Sequence, residues 1–473
     1  MNDFFEHEDD DSLSDLLERF DNMLNEDSRY FFDVEEYEDL IDHYMGSNDM
    51  EKCATAVRLA IEQYPYQSGI LIRQAQLLVS SNKAEKALRV LSKVENMDPT
   101  NSDIYITKGA IYSQLKRYDD AIREYNKAIN KDEDLENIYS SIAFEYENLG
   151  DYEKAIEYLK KVLEIEPDNE TIIFELAFCY EITNQPETSI EYFTAFTDRF
   201  PYSRFAWFNL GVAYNNLELF EKAIEAFEFA IAIEPTFSSA FFNKANALAG
   251  MELYQHAIEA YRETFDHEEP EALTYYYIGE CYEKLSETDE AIRNFRKAVE
   301  MDDAIADAWV GLGVCYQLKG NMKTALRYIL KGIEQDPENP EYLASLAICQ
   351  KQAGLYIEAE ESFTKSAQIE PLDHEIWLDF SEMYAELKDF DRSCELILTG
   401  LNHLPDNKIL MVRLVSYLFE QGKRKEALSR LSNLLADDAG SLSLLFEYSP
   451  QLMDDADVLE TRARYSSENN KQG

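Results

Sequence analysis

The chain has 473 residues, 93 acidic against 44 basic, for a formal net charge of −49. That charge repels nucleic-acid phosphates and anionic lipid surfaces, so nucleic-acid and membrane binding are excluded and partners are expected to be neutral or basic proteins or peptides. No apolar run reaches the length of about 18 residues that a membrane span needs, and the start MNDFFEHEDDD is the charge inverse of a secretory signal, so a cytoplasmic location is expected.

In chain order, residues 1–12 are too acidic and polar to bury much and are expected to form a disordered tail. Over 13–33, Leu13, Leu16, Leu17, Phe20 and Leu24 recur at helical spacing and predict a short amphipathic helix. It is either a lid over the segment starting at Val34 or a docking helix for another protein.

From Val34 the sequence obeys a 34-residue period that runs to Ser441 as twelve units without insertion or deletion. With Val34 as slot 1, Trp207, Trp309 and Trp377 share slot 4, and slot 4 is large in every unit, which predicts a buried anchor. Slot 8 is small (Ala75, Gly109, Gly211, Gly279, Gly313), as needed where helices approach closely. Slot 11 is usually tyrosine, slot 20 mostly alanine and slot 24 large, as in Tyr125, Phe193, Phe227 and Phe295. The three-and-four spacing predicts two amphipathic helices per unit. Proline at slot 32 (Pro65, Pro99, Pro167, Pro201, Pro235, Pro337, Pro371, Pro405) closes the second helix. The stop is missing at Glu133, Glu269, Asp303 and Ala439, where a bend is allowed, and Pro270 shifts one of these stops by a residue.

At this period the pattern resembles the tetratricopeptide repeat. The unit Arg204 to Phe237 carries all eight signature residues as Trp207, Leu210, Gly211, Tyr214, Ala223, Phe227, Ala230 and Pro235. The resemblance implies an all-α, right-handed α-solenoid superhelix of stacked antiparallel helix pairs, and a single architectural domain over 34–441. Beyond the array, 442–465 is expected to form capping helices, with Pro450 in a first turn and Leu452, Ala456 and Leu459 as an apolar stripe. Residues 466–473 are expected to be a disordered tail.

Four of the six cysteines (Cys179, Cys281, Cys315, Cys349) share slot 10, so their spacing follows from the repeat. Equivalent helices about 8–10 Å apart cannot bring alpha carbons within the roughly 7 Å of a disulfide, and free buried thiols are expected. The six histidines are scattered and no phosphate loop, dinucleotide or zinc motif is present, so the chain is read as no enzyme, with no metal and no cofactor.

In the family this array resembles, first helices line a concave groove through slots 2, 5, 6, 9, 12 and 13. Those slots turn aromatic in the fourth to eighth units, with Phe144, Phe174, Phe178, Phe205, Phe208, Phe242 and Tyr276. Asn209, Asn215, Asn216, Asn243 and Asn246 lie among them. Phenyl faces offer apolar area and asparagine amides donate and accept to a peptide backbone, which together predict a peptide groove. The alternative for slot 5 is plain packing against the next helix. Asparagine at slot 6 resembles the backbone-gripping ladder of N-acetylglucosamine-transferring relatives, though only two consecutive units have it.

The groove slots hold many acids, including Asp42, Glu147, Glu181, Glu280, Glu283 and Glu382, against Arg73, Lys284, Lys351 and Arg413. A negative groove follows. No unit has the slot-5 lysine with which chaperone-binding relatives clamp a C-terminal carboxylate. The resulting expectation is a non-enzymatic scaffold that binds an extended apolar and basic segment of a partner protein. The alternative is a structural spacer or self-assembling subunit acting through its caps and convex face.

Overall fold

The computed structural model describes residues 5–26, 30–131, 134–437 and 440–469, with side chains over 13–25, 30–131, 134–437 and 440–463. It is all-α, with no strand among the described residues. Contacts divide the chain into two compact units, Met1–Pro235 and Thr236–Gly473. In a stack each repeat touches only its neighbours, so no common core ties distant repeats together.

The first unit opens with α1 (Phe5–Glu26) and continues as helix pairs α2 (Val34–Gly46) and α3 (Met50–Gln63), α4 (Ser68–Ser80) and α5 (Ala84–Met97), α6 (Asp103–Gln114) and α7 (Tyr118–Ala128). Then come α8 (Leu135–Asn148) and α9 (Tyr152–Ile165), α10 (Glu170–Ile182) and α11 (Pro186–Arg199), α12 (Arg204–Asn216) and α13 (Phe220–Ile233). The second unit holds α14 (Ser238–Gly250) and α15 (Tyr254–Glu263), α16 (Ala272–Lys284) and α17 (Thr288–Met301), α18 (Ala306–Leu318) and α19 (Met322–Gln335). It closes with α20 (Pro340–Gln352) and α21 (Tyr356–Ile369), α22 (His374–Glu386) and α23 (Phe390–His403), α24 (Lys408–Glu420) and α25 (Arg424–Asp437), then α26 (Ser441–Tyr448) and α27 (Ala456–Asn469).

Each pair fills one window, slots 1–13 and 17–30 in most. The turn between them places slot 15 in the left-handed region in all twelve repeats, from Asn48 (φ 61°) to Gly422 (φ 78°). That conformation lets the slot-16 amide donate back to the slot-11 carbonyl, as in Asp49 to Tyr44 (2.9 Å), Gln185 to Tyr180 (2.9 Å) and Asp389 to Tyr384 (2.9 Å). The bond satisfies a helix-end carbonyl that would otherwise lack a partner. Glycine holds the slot only at Gly150, Gly320, Gly354 and Gly422, so its conformation was not legible from composition.

The small and large slots meet as expected. A β-carbon added at Gly211 would lie 2.6 Å from Phe227, and one at Gly279 would lie 2.7 Å from Phe295. Slot 4 is a different matter: Tyr37, Tyr105 and Trp377 are buried, whereas Trp207 and Trp309 are half-buried. The indoles are held by hydrogen bonds instead. Trp207 Nε1 donates to the Pro201 carbonyl at 2.9 Å, Trp309 Nε1 to Asp303 at 2.9 Å and Trp377 Nε1 to Pro371 at 3.0 Å. The tryptophan phase and the proline phase are thus two ends of one contact.

At the missing stops, α17 ends at Met301 without a proline, whereas α15 stops early at Glu263 and passes into a 3-10 turn, Thr264–Asp266. Glu133 and Ala439 lie outside the described residues.

The ends differ from expectation in extent. α1 begins at Phe5, inside the stretch 1–12 expected as a tail. Residues 1–4 lie outside the description. Buried Leu16 and Phe20 pack against Phe32 and Tyr44, Arg19 bonds Glu36 at 2.8 Å, and Lys52 bonds Asp21 at 2.7 Å, so α1 covers the first repeat. At the other end α27 runs to Asn469, into the expected tail 466–473, of which 470–473 lie outside the description. Its buried residues among those described are Val458 and Thr461, and Ala456 and Leu459 are exposed. The stripe expected through 456 and 459 is out of phase because the 3-10 turn Pro450–Leu452 resets the helix register.

A candidate peptide groove on the first helices of unit one

First helices of successive repeats pack on one another at several steps, α2 on α4, α4 on α6 and α10 on α12 in the first unit, then α16 on α18 and α18 on α20 in the second. Second helices of successive repeats lie farther apart. A stack closer on one side curves toward it, so the first helices form the inner face of each unit. On α10 the exposed positions are Glu170 at slot 1 and Thr171, Phe174, Phe178, Glu181 and Ile182, the last five being groove slots 2, 5, 9, 12 and 13.

Three successive phenylalanines stand open on this face in the first unit: Phe144 (57% exposed), Phe174 (40%) and Phe178 (50%). The amphipathic pattern explains why. The core-facing residues of α10 are Ile172, Ile173, Leu176, Cys179 and Tyr180, and the helix is too apolar to leave only polar residues outside. Phe174 meets Phe205 edge-on at 5.0 Å and Phe208 at 6.1 Å. Between α10, α11 and α12 lies a pocket of about 330 Å³ that gathers Phe174, Phe178, Phe208, Asn209 and Asn216. Phe144 and the half-buried Phe205 and Asn215 stand outside its lining.

Two of the gathered residues are not surface groups. Phe208 is 9% exposed and packs against Phe227 at 5.8 Å, and Asn209 is 5% exposed. Slot 5 therefore serves packing in the sixth repeat and an open face in the fifth. Part of each asparagine's hydrogen-bonding capacity is already spent. Asn209 Nδ2 donates to the Phe205 carbonyl at 2.8 Å and Asn243 Nδ2 to Ser239 at 2.9 Å, each one helical turn back, which uses one of the two N–H groups of each amide. Asparagine amides compete for helix carbonyls in this way, and the sequence alone did not reveal it.

The second unit holds Phe242, Asn243, Asn246 and Tyr276, all half-buried. Phe242 packs edge-on against Tyr261 and Tyr277, Asn246 Oδ1 accepts from Tyr261 Oη at 2.5 Å, and Tyr276 lies 6.0 Å from Phe295. Burial and the Glu280 carboxylate raise the Tyr276 hydroxyl above its usual range, so it stays neutral. These four are knitted into their own unit's packing.

The charge pattern is sharper than a count of acids. α8 and α10 contain no basic residue, and the one in α12, Arg204, bonds Glu170 at 2.9 Å and also pairs with Glu234. Three groove cations are engaged by groove acids: Arg73 with Asp42 at 2.7 Å and Glu38 at 3.4 Å, Lys351 with Glu382 at 3.3 Å and Glu386 at 3.1 Å, and Arg413 with Glu382 at 3.2 Å. Burial raises the carboxyls of Glu147 and Glu175 in the first unit and of Glu280 and Glu283 in the second. All six cysteines are free and buried. Burial pushes the thiols of Cys179 and Cys315 up to about 12 and of Cys281, Cys349 and Cys394 to about 11, so none is poised as a nucleophile at neutral pH.

The sequence reading missed the rest of the pocket lining, including Ala177, Tyr180, Asn184 and Ala213 outside the groove slots and Val212 at slot 9. A signal was present. Val212 and Ala213 stand at slots 9 and 10, where the repeat before has Phe178 and Cys179, and the smaller side chains leave the space.

Two family models, each described as tetratricopeptide repeat, match the sequence, one over residues 137–169 and 205–237 and the other over 78–143 and 282–349. This chain is a tetratricopeptide-repeat protein. A search of curated proteins finds no match. Among solved structures, this tetratricopeptide-repeat chain is similar to the Cut9–Hcn1 hetero-tetramer of APC/C, at 14% identity and TM-score 0.44 over 82% of this chain and 97% of that one. It is similar to MamA at 22% identity and TM-score 0.32, over 35% of this chain and 91% of the other. YrrB, titled a TPR protein with an unusual peptide-binding site, matches at 20% identity and TM-score 0.33, over 39% and 94%. None of these likenesses bears on what this chain binds. Among its described residues no helix is long and apolar enough to cross a membrane.

Proposed function

We propose that the protein is a non-enzymatic interaction scaffold whose first unit holds an extended, apolar and basic segment of a partner protein along α8, α10 and α12. The observation that carries this reading is the exposure of Phe144, Phe174 and Phe178 on an inner face whose first helices bear acids and a single arginine already paired. Exposed aromatic groups of this size gain most from burial against an apolar ligand, and the unbalanced carboxylates favour cationic side chains beside it. Repeat scaffolds leave partner choice to such surface residues, since their signature residues build the core.

The test is capture from native lysate by the full chain and by a variant with Phe144, Phe174 and Phe178 all changed to alanine. Each is exposed, so the variant keeps its helical signal and melting behaviour. A protein retained by the first and lost from the second supports the groove. Equal retention moves the function to the caps or the convex face, and removing residues 1–33 then separates those two. Phe208→Ala is a poor probe, because a ring 9% exposed reports folding as well as binding.

A further inference from the structure

The pocket between α10 and α12 has a chemistry more specific than the groove around it, and its use by a ligand rests on the groove reading. Its walls are the faces of Phe174, Phe178 and Phe208, with Ala177, Val212 and Ala213 between them. Its lining carries one carboxylate and no cation. Glu181 is exposed at the lining and has no salt-bridge partner among the described ion pairs. Asn209 has spent one amide N–H on the Phe205 carbonyl, and its Oδ1 can accept. Tyr180, also in the lining, is buried, and its hydroxyl has no hydrogen-bond partner.

The backbone points the same way. The lining takes the last turns of α10 and α12, through Glu181 and Asn216, so two negative helix ends flank the space. The positive end of α11 is also present, but Pro186 occupies its first position and has no N–H to offer. No lysine or arginine lines the pocket. Lys160 lies over the Tyr180 ring, 5.3 Å from its centroid, but is outside the lining.

We propose that this pocket seats one arginine side chain of the partner segment. Its guanidinium would stack on the phenyl faces and donate to the Glu181 carboxylate and the Asn209 carbonyl. A planar cation with five spread donors matches aromatic walls and dispersed acceptors. An ammonium ion concentrates its donors at one point and gives up its water less readily. An acidic side chain would meet the Glu181 carboxylate.

The probes are four fluorescein-labelled ten-residue peptides of alternating leucine and serine, with the central serine replaced by arginine, lysine or citrulline, or left unchanged. Anisotropy is measured with the full chain at near-physiological salt. The arginine peptide is expected to bind at least fivefold tighter than the lysine peptide and tenfold tighter than the citrulline one. Glu181→Gln, an exposed change that leaves folding intact, and Ala213→Leu, which fills the pocket, should each reduce the arginine preference below twofold without weakening the serine peptide.

Equal affinity for arginine and lysine would reduce the effect to the bulk negative charge and overturn the seat. So would a preference that survives both variants, or binding of none of the peptides. If all four bind equally and the triple phenylalanine variant loses them all, the groove stands and only the arginine seat falls.

Discussion

Slot 15 concentrates the residue-scale chemistry of this fold. Lys116, Glu218, Glu252, Ser286 and Lys388 hold a left-handed conformation (φ 56° to 62°) that side chains with a β-carbon adopt at a cost. Glu252→Gly is therefore expected to raise stability by about 0.5–1 kcal/mol, the relief of that strain less the entropy that glycine adds to the unfolded chain. An unchanged or lower urea midpoint would contradict the strain. The opposite holds inside the helix pair. At Gly211 an added β-carbon meets the Phe227 ring at 2.6 Å, and Gly211→Ala should cost about 1–3 kcal/mol through overpacking, read from the same denaturation curves. The second result was legible from the small and large slots. The first was not, because eight of the twelve left-handed residues are not glycine.

Among the elements, α22 carries a group whose protonation is linked to folding. Burial, with Glu382 beside it, raises the Asp379 carboxyl to about 6, against the opposing pull of Lys351 from α20 and Arg413 from α24, while Glu375 adds to the rise. A carboxyl with a raised folded-state pKa contributes stability that is full below its unfolded value of about 4 and lost as pH rises through 6. Asp379→Asn should therefore stabilise the protein at pH near 7.5, with the advantage shrinking at pH near 5.5. Because Asp379 is half-buried and solvent screens it, the gain is about 1–2 kcal/mol at most. Melting temperatures of both proteins at the two pH values check the sign, and a gap that widens on acidification would reverse it. Sequence periodicity placed Asp379 in a groove slot among acids, but its environment depends on cations contributed by the two neighbouring helices.

Across the whole molecule the net charge of −49 sets the electrostatics. Most of its ion pairs are exposed and contribute little each, whereas the uncompensated acids repel one another throughout the compact state. Raising salt from about 0.05 to 0.5 M is expected to lift the melting temperature by a few degrees by screening that repulsion. A fall would mean that the pairs outweigh it. Binding of a basic segment should respond in the other direction, weakening as salt rises, while the contribution of the exposed phenylalanines persists. Titrating an arginine-containing peptide at several salt concentrations separates the two. Phe174→Ala or Phe178→Ala alone should cost about 1–3 kcal/mol of binding at every salt concentration if these rings are desolvated anchors.

The period, the helix pairs and the facing of slot 8 on slot 24 were determined by the sequence itself. Each is a local or near-neighbour relation that recurs twelve times, so a chance pattern cannot imitate it. The acid excess was equally plain, being a sum over residues. Tertiary structure decided which groove residues are available. Phe174 and Phe208 occupy the same slot, yet one ring is open and the other buried, because the space beside each depends on the sizes of side chains in the adjoining repeat. It also decided that one amide N–H of Asn209 is already committed, since it turns back onto its own helix. Availability is set by what neighbouring helices leave uncovered, and a linear pattern records the slots without recording what fills the space between them.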